Sequence, residues 1–366
     1  MTDGARREFG YYVHVPFCAK RCDYCAFATW TDRDHLMSSY AEACVTEVRS
    51  AVASEGLPEA TSVFFGGGTP SRLPAAMLTA ILDAIPRSEG AEVTVECNPE
   101  DASAERFSAW RSAGVNRISL GAQSMVPTVL ESLGRRHGTD SVVDAVDLAH
   151  RAGFESVSVD LIFGAAAETD DDWRTTLDAV LGIRTPPEHV SCYALTVEAG
   201  TALAGDESRH PDGDTQARRY EITDSVLSDA GYHWYEISNW AKPNHECRHN
   251  ILYWRQGDYR GIGCAAHSHI SGRRWWNIRT PERYIGAVGS GAPTVSGTDD
   301  VDAESREFEA LALLVRTAEG VPGDCVPDDP ALEGLIEKHG SRAVLTLRGR
   351  LLANEVAIRL VPHDVP

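Results

Sequence analysis

The chain has 366 residues, 43% of them hydrophobic and 24% charged, with a net charge of −20 and a pI near 5.0. That balance supplies a sizeable core and excludes disorder, while so acidic a surface excludes bulk binding to nucleic acid or to an anionic membrane. The longest apolar run near the C-terminus, residues 310–315, is too short to cross a bilayer, and residues 1–10 lack the apolar core of a secretory signal.

Nine cysteines in such a chain point to a reducing cytoplasm and to free thiols or metal ligands, not to a disulfide framework. Six short apolar runs read as strands, at residues 12–15, 62–65, 92–95, 116–120, 156–161 and 189–193. Amphipathic stretches lie between them. Over residues 35–52, Leu36, Tyr40, Cys44 and Val48 recur at every fourth position, and Asp170-Asp171-Asp172 suits a helix N-terminus. Three junctions place glycine between a helix and a strand: Ala113-Gly114-Val115, Ala152-Gly153-Phe154 and Ala230-Gly231-Tyr232. Each predicts a left-handed helix stop feeding a strand.

Repeated β-then-α units mean parallel strands with crossover helices. A doubly wound sheet satisfies this order. A partial (β/α)6 TIM-like barrel also accounts for polar residues recurring where strands should end: Gly67-Gly68-Thr69, Glu96 with Asn98, Gln123 with Ser124, Asp160, and Tyr193 with Thr196. The expected class is therefore α/β, with the barrel over residues 1–195.

Beyond it, residues 196–213 read as a loop. Residues 233–276 concentrate five of the eight Trp and five of the thirteen His, and residues 280–302 read as a linker. The post-barrel segment is set at 196–300. The tail, 301–366, is expected to be a small, mainly helical, winged-helix-like module: helix, helix, a β element at 343–347 and a last helix over 350–360. Its twelve acidic against seven basic side chains argue against DNA binding.

The sharpest local signal is Cys18-x3-Cys22-x2-Cys25, directly after the first strand. Three thiols on one rim loop can hold a four-iron cluster and leave one iron open for a reactant. Structural zinc with His14 as fourth ligand is the alternative, although no second cysteine pair completes such a site.

With Tyr24 before the last cysteine, this segment resembles the signature of the radical S-adenosylmethionine (SAM) superfamily. The resemblance implies a [4Fe-4S] cluster on Cys18, Cys22 and Cys25 whose open iron chelates SAM and whose electron cleaves the sulfonium. Gly66-Gly67-Gly68-Thr69-Pro70 is similar to the superfamily's Gly-rich SAM segment. The stretch 11–18, Glu96-Cys97-Asn98-Pro99, Leu120 to Ser124 and Val159 to Gly164 resemble the oxygen-independent coproporphyrinogen III oxidase branch. By position, the resemblance implies SAM contacts at Tyr12, Tyr24, Gly68, Thr69, Glu96, Gln123, Arg135 and Asp160. Carboxylates suit ribose hydroxyls or the ammonium group, and Arg135 suits the carboxylate.

Within that branch, the oxidase's fourth cysteine position is Phe27 here, and only about ten residues precede the first strand. His249-Asn250-Ile251-Leu252-Tyr253-Trp254 and His267-Ser268-His269 resemble the HemW-type heme chaperone family instead. That likeness implies heme as a third cofactor, with His249 as axial iron ligand and Asn250, Tyr253 and Trp254 around the porphyrin. Cys247 and Cys264 are close enough in sequence to be candidates for the iron or the vinyl groups. The partners implied are heme-acceptor proteins and an electron donor such as flavodoxin or ferredoxin, for a cytoplasmic monomer or weak dimer. The competing activities are oxidative decarboxylation of coproporphyrinogen and radical methylation or degradation of heme. Departures from the family are Gly164-Ala165-Ala166 in place of Gly-Leu-Pro and Gly263-Cys264-Ala265-Ala266 in place of Gly-Pro-Gly-Ala.

Overall fold

A computed structural model of the chain describes residues 8–135 and 137–362. The six expected strands form and run longer than their apolar centres: β1 (Phe9–Val15), β2 (Ala60–Gly67), β3 (Arg87–Cys97), β4 (Arg117–Gln123), β5 (Ser156–Phe163) and β6 (His189–Ala194). All pair in parallel, in chain order. Helices α1 (Met37–Glu55), α2 (Ala75–Ala84), α3 (Ala104–Ser112), α4 (Pro127–Ser132), α5 (Thr139–Arg151) and α6 (Asp170–Leu181) fill the crossovers. Gly114 and Gly153 end two of them with φ of 99° and 81°, as the Ala-Gly junctions predict. Thr169 opens α6 with a capping box closed by Asp172.

Alternation sorts the strand residues. Tyr11, Val13, Val63, Phe65, Val95, Ile118, Leu120, Val157 and Val159 are fully buried, in one core with the helices. The intervening positions — Tyr12, His14, Phe64, Glu96, Ser119 and Asp160 — face the concave lumen. This is the α/β partial barrel expected from the strand-end polar residues.

The sheet does not stop at β6. Helix α7 (Gly213–Asp229) leads to β7 (His233–Glu236) and β8 (Asn239–Ala241), which close the β6 edge antiparallel. At the other edge β9 (Asp258–Ile262) pairs parallel with β1, and β10 (His267–Ile270), β11 (Arg273–Asn277) and β12 (Val295–Asp300) add antiparallel strands. The result is one sheet of twelve strands. The linker reading of 280–302 is therefore corrected: helix α9 (Pro281–Ser290) and β12 occupy it. Its Gly, Ser and Thr content reflects an exposed edge strand, which has little to bury.

Helix α8 (Arg248–Trp254) carries the His-Asn motif and packs against β1 and β2. The tail forms α10 (Ala303–Leu314), a three-stranded antiparallel sheet of β13 (Val321–Pro322), β14 (Ile336–His339) and β15 (Arg342–Leu345), then α11 (Leu347–Leu351) and α12 (Ala353–Ala357). Val315, Val321, Leu335, Leu345 and Val356 make its own small core. The second expected helix is replaced by short 3-10 turns and β14, and the last helix breaks after Leu351.

Arg350 docks this module on the barrel. It pairs with both Asp224 oxygens at 2.7 and 2.8 Å and lies 4.5 Å over the Trp234 ring. Arg350→Ala strands a largely buried carboxylate and is expected to cost about 3 kcal/mol. Limited proteolysis should then release the tail, and unchanged unfolding and cleavage would refute this docking role. Among the described residues no helix is long and apolar enough to cross a membrane.

Candidate functional site

The loop after β1 carries the three cysteines. Phe17 bridges Trp30, and the Cys18 and Trp30 amides donate to Trp30 and Pro16 carbonyls at 3.0 and 2.8 Å, pinning both loop ends. Cys18 is 9% exposed, while Cys22 and Cys25 are half-buried. Thr69 Oγ1 donates to Cys18 Sγ at 3.6 Å, and Arg135 Nη1 to Cys22 Sγ at 3.5 Å.

The Gly-rich turn is dictated sterically. A Cβ at Gly68 would lie 2.7 Å from the Val15 carbonyl, 2.9 Å from that of Phe17 and 3.1 Å from Cys18 Sγ. At Gly67, φ is 108° and a Cβ would meet the His14 ring at 2.4 Å. Only glycine lets this turn lie against the cysteine loop.

The donor chemistry suits an iron–sulfur cluster. Among the described residues, however, no three His, Cys, Asp or Glu side chains stand together at metal-binding geometry. Burial also pushes the Cys18 and Cys25 thiols up. Cluster binding therefore has to ionise these thiols and releases protons. The His14 alternative does not fit this arrangement: its Nε2 bonds the Ala28 carbonyl at 2.9 Å and its Nδ1 the Tyr12 hydroxyl at 3.2 Å.

The residues expected to contact SAM converge below this loop. Arg135 Nη2 reaches Asn98 Oδ1 at 2.9 Å and the Gly121 carbonyl at 3.0 Å. Gln123 ends β4 at φ 65°, beyond a register shift that turns the chain out of the ladder. Tyr24 packs with Ile162, Leu195 and Leu203 and lines a narrow cleft with Ala165 and Ala166, the departure residues. Tyr12 and Phe64 stack at 6.4 Å. Tyr193 is 41% exposed, yet burial raises its phenol pKa. It faces an enclosed lumen, not open solvent.

Asp160 accepts from Ser119 at 3.0 Å, and Ser158 and Ser191 also bond it. Burial nonetheless holds its carboxyl above the usual range. Burial, and then the Asp160 charge, push Glu96 up to about 8, against the opposing Gly67 amide. The fold thus favours neutral Glu96. This contribution to stability is present below pH 4.5 and is lost as pH rises through about 8.

A cation beside Glu96 favours its carboxylate, so binding releases a proton. SAM affinity is expected to rise as pH increases from about 6.5 to 8.5, by up to about tenfold per unit. Glu96→Gln removes the slope. Calorimetry at several pH values checks this, and a flat wild-type profile would contradict it.

Sequence reasoning missed Ser119, Ser158, Ser191 and Arg117. The signal was present as small hydroxyls and one Arg at inward positions of otherwise apolar strands. Arg117 is 3% exposed and stands near Glu92 and Asp160.

The heme-motif residues lie on and around α8, packed on β1 and β2. His249 is 1% exposed, its Nδ1 bonds Ser62 Oγ and its Nε2 bonds Tyr253 Oη, both at 2.9 Å. Its ring stacks on Phe64 at 5.3 Å, and Glu92 accepts from the His249 amide at 3.0 Å. Burial pushes its pKa down to about 3. In this arrangement both ring nitrogens are hydrogen-bonded. Ser62 and Gly10, beside it, lie early in β2 and β1, whereas the cysteine loop follows the end of β1. About five residues of strand, roughly 17 Å, separate the two.

Trp254 bonds Glu236, and Asn250 is half-buried. Cys247 and Cys264 are fully buried, with Cys247 donating to Glu92 at 3.5 Å and Cys264 beside the Tyr40 hydroxyl at 3.7 Å. Burial pushes both thiols up to about 12.

Residues 12–180 match the radical SAM superfamily. The chain is 40% identical to "Heme chaperone HemW" of Mycobacterium tuberculosis over 97% of its own length and 95% of the relative's. It is 33% identical to the protein of that name from Bacillus subtilis, over 94% and 97%. Coproporphyrinogen III oxidase (HemN) from Escherichia coli shares the fold at a TM-score of 0.82, with 20% identity over 96% of this chain and 89% of that one. The barrel, the three-cysteine rim loop and likeness along nearly the whole chain place it in the radical SAM superfamily and, within that, in the HemW family.

Proposed function

We propose that the protein is a heme chaperone: it binds heme and passes it to acceptor hemoproteins, and it carries a [4Fe-4S] cluster on Cys18, Cys22 and Cys25 with SAM beside it. The observation that carries this reading is the likeness to heme chaperones at 40% identity over 97% of the chain. The oxidase shares the fold at 20% identity, and its fourth cysteine position is here Phe27, an apolar ring 62% exposed.

When bound, the cluster supplies an electron to the sulfonium of SAM. The chain's own residues do the rest. Gly68 and Thr69 seat the loop, Arg135 offers a cation to the SAM carboxylate, and Glu96 and Asp160 accept from ammonium or ribose hydroxyls. Tyr12, Tyr24 and Gln123 complete the wall. The electron donor is a small redox protein of the flavodoxin or ferredoxin kind, the setting is the cytoplasm, and the working form is a monomer or weak dimer. The acidic surface favours acceptors with basic faces.

The test is transfer. Full-length protein loaded with hemin is mixed with an apo-hemoprotein, and the acceptor's Soret band is followed. Stoichiometric transfer is expected. Anaerobic incubation with SAM, reductant and coproporphyrinogen is expected to yield no protoporphyrinogen, and its formation would overturn the reading in favour of the oxidase.

A further inference from the structure

At the end of the lumen opposite the cysteine loop lies a cavity of about 500 Å³. It opens where β4 and β5 begin, and one wall is the first turn of α8, with Arg248 and Ile251. Its lining is separate from the three cysteines and from the residues expected to contact SAM.

Two neighbouring strands place two unsatisfied donors on this cavity. Arg117 opens β4 and Ser156 opens β5, and the two are paired in register. Arg117 is two residues from Ser119 and Ser156 is four from Asp160, so all four share the lumen face. The Arg117 guanidinium is buried, yet among the described residues it makes neither hydrogen bond nor ion pair, and its Nε is enclosed without an acceptor. The Ser156 hydroxyl is buried and equally without a partner.

Two carboxylates act on Arg117 through space, but both are engaged elsewhere. Glu92 accepts from the Arg248 and His249 amides at 2.9 and 3.0 Å, and Asp160 is held by serines. A buried cation is normally paired, and a buried hydroxyl normally hydrogen-bonded. Here both lack a partner, side by side, on one cavity. A carboxylate satisfies them together: its two oxygens accept the forked N–H groups of an arginine and a hydroxyl as well. Phosphate fits less well, because Glu92, Glu155 and Glu246 line the same cavity and repel a second negative charge.

We propose that this cavity binds a carboxylate on Arg117 and Ser156. Its wall is the helix of the His-Asn motif. On the chaperone reading, on which this choice of source rests, the carboxylate is therefore a propionate of heme held at that helix. A free small dicarboxylate presents the same group.

The experiment titrates the full-length protein and its Arg117→Lys and Ser156→Ala variants with hemin, with hemin dimethyl ester and with succinate. Lysine keeps the charge but not the planar fork. Ser156→Ala removes a hydroxyl that the fold leaves unpaired, so its ligand-free unfolding curve should match that of the wild type. Both variants are expected to bind hemin about tenfold more weakly, while the dimethyl ester binds all three proteins alike. Succinate binding that depends on Arg117 and Ser156, with hemin unaffected, would support the cavity and make its ligand a free carboxylate. Equal affinities of all three proteins for hemin and for succinate would overturn the proposal and leave the chaperone reading intact. A wild-type protein that binds no hemin would overturn the chaperone reading, and the succinate titration alone would then decide the cavity.

Discussion

Cys22→Ser is expected to empty the protein of its cluster, with iron and sulfide falling from about four of each per chain to background. The reason is positional. Cys18, Cys22 and Cys25 share one loop pinned at both ends, against a glycine turn that admits no side chain. A serine hydroxyl cannot replace a thiolate that bonds soft iron. Cys97→Ser is the control: that thiol is 3% exposed, donates to the Asn98 carbonyl at 3.2 Å and is pushed up to about 12 by burial. Its variant should keep full iron. Retention of iron by Cys22→Ser, measured on anaerobically reconstituted protein, would contradict the assignment.

His249→Ala is expected to destabilise the heme-free protein by about 3 kcal/mol. It removes two hydrogen bonds at once, leaving the Ser62 hydroxyl without its buried partner, and it opens a cavity beneath Phe64. Because the effect belongs to the fold, it should be present in denaturant unfolding with or without hemin. Unchanged stability together with a lost heme spectrum would mean that the imidazole leaves Ser62 and Tyr253 to bind iron, contrary to its place here.

The contrast between these two sites shows what a sequence carries. The cysteine loop was legible because its parts are neighbours in the chain, and strand, thiols and turn appear in order. The parallel strands were legible for a similar reason, since each apolar run is bounded by its own glycine stop, as at Gly114 and Gly153. His249 was not, because its saturation depends on Ser62, 187 residues away, and a His in an aromatic-rich stretch reads alike whether braced or free. Short antiparallel strands were lost too. β12, Val-Ser-Gly-Thr-Asp-Asp, is an exposed edge whose polar residues look like a linker until β11 is beside it. The acid pair in the lumen was half legible: Glu96 and Asp160 stood out, but not the serines that hold Asp160.

The central claim is that this barrel holds a cluster with an open iron that SAM occupies. The most direct measurement is the electron paramagnetic resonance spectrum of the reduced, anaerobically reconstituted protein before and after SAM is added. The account predicts a [4Fe-4S] signal that shifts on addition of SAM. A signal indifferent to SAM, or a colourless protein carrying one zinc per chain, would contradict it.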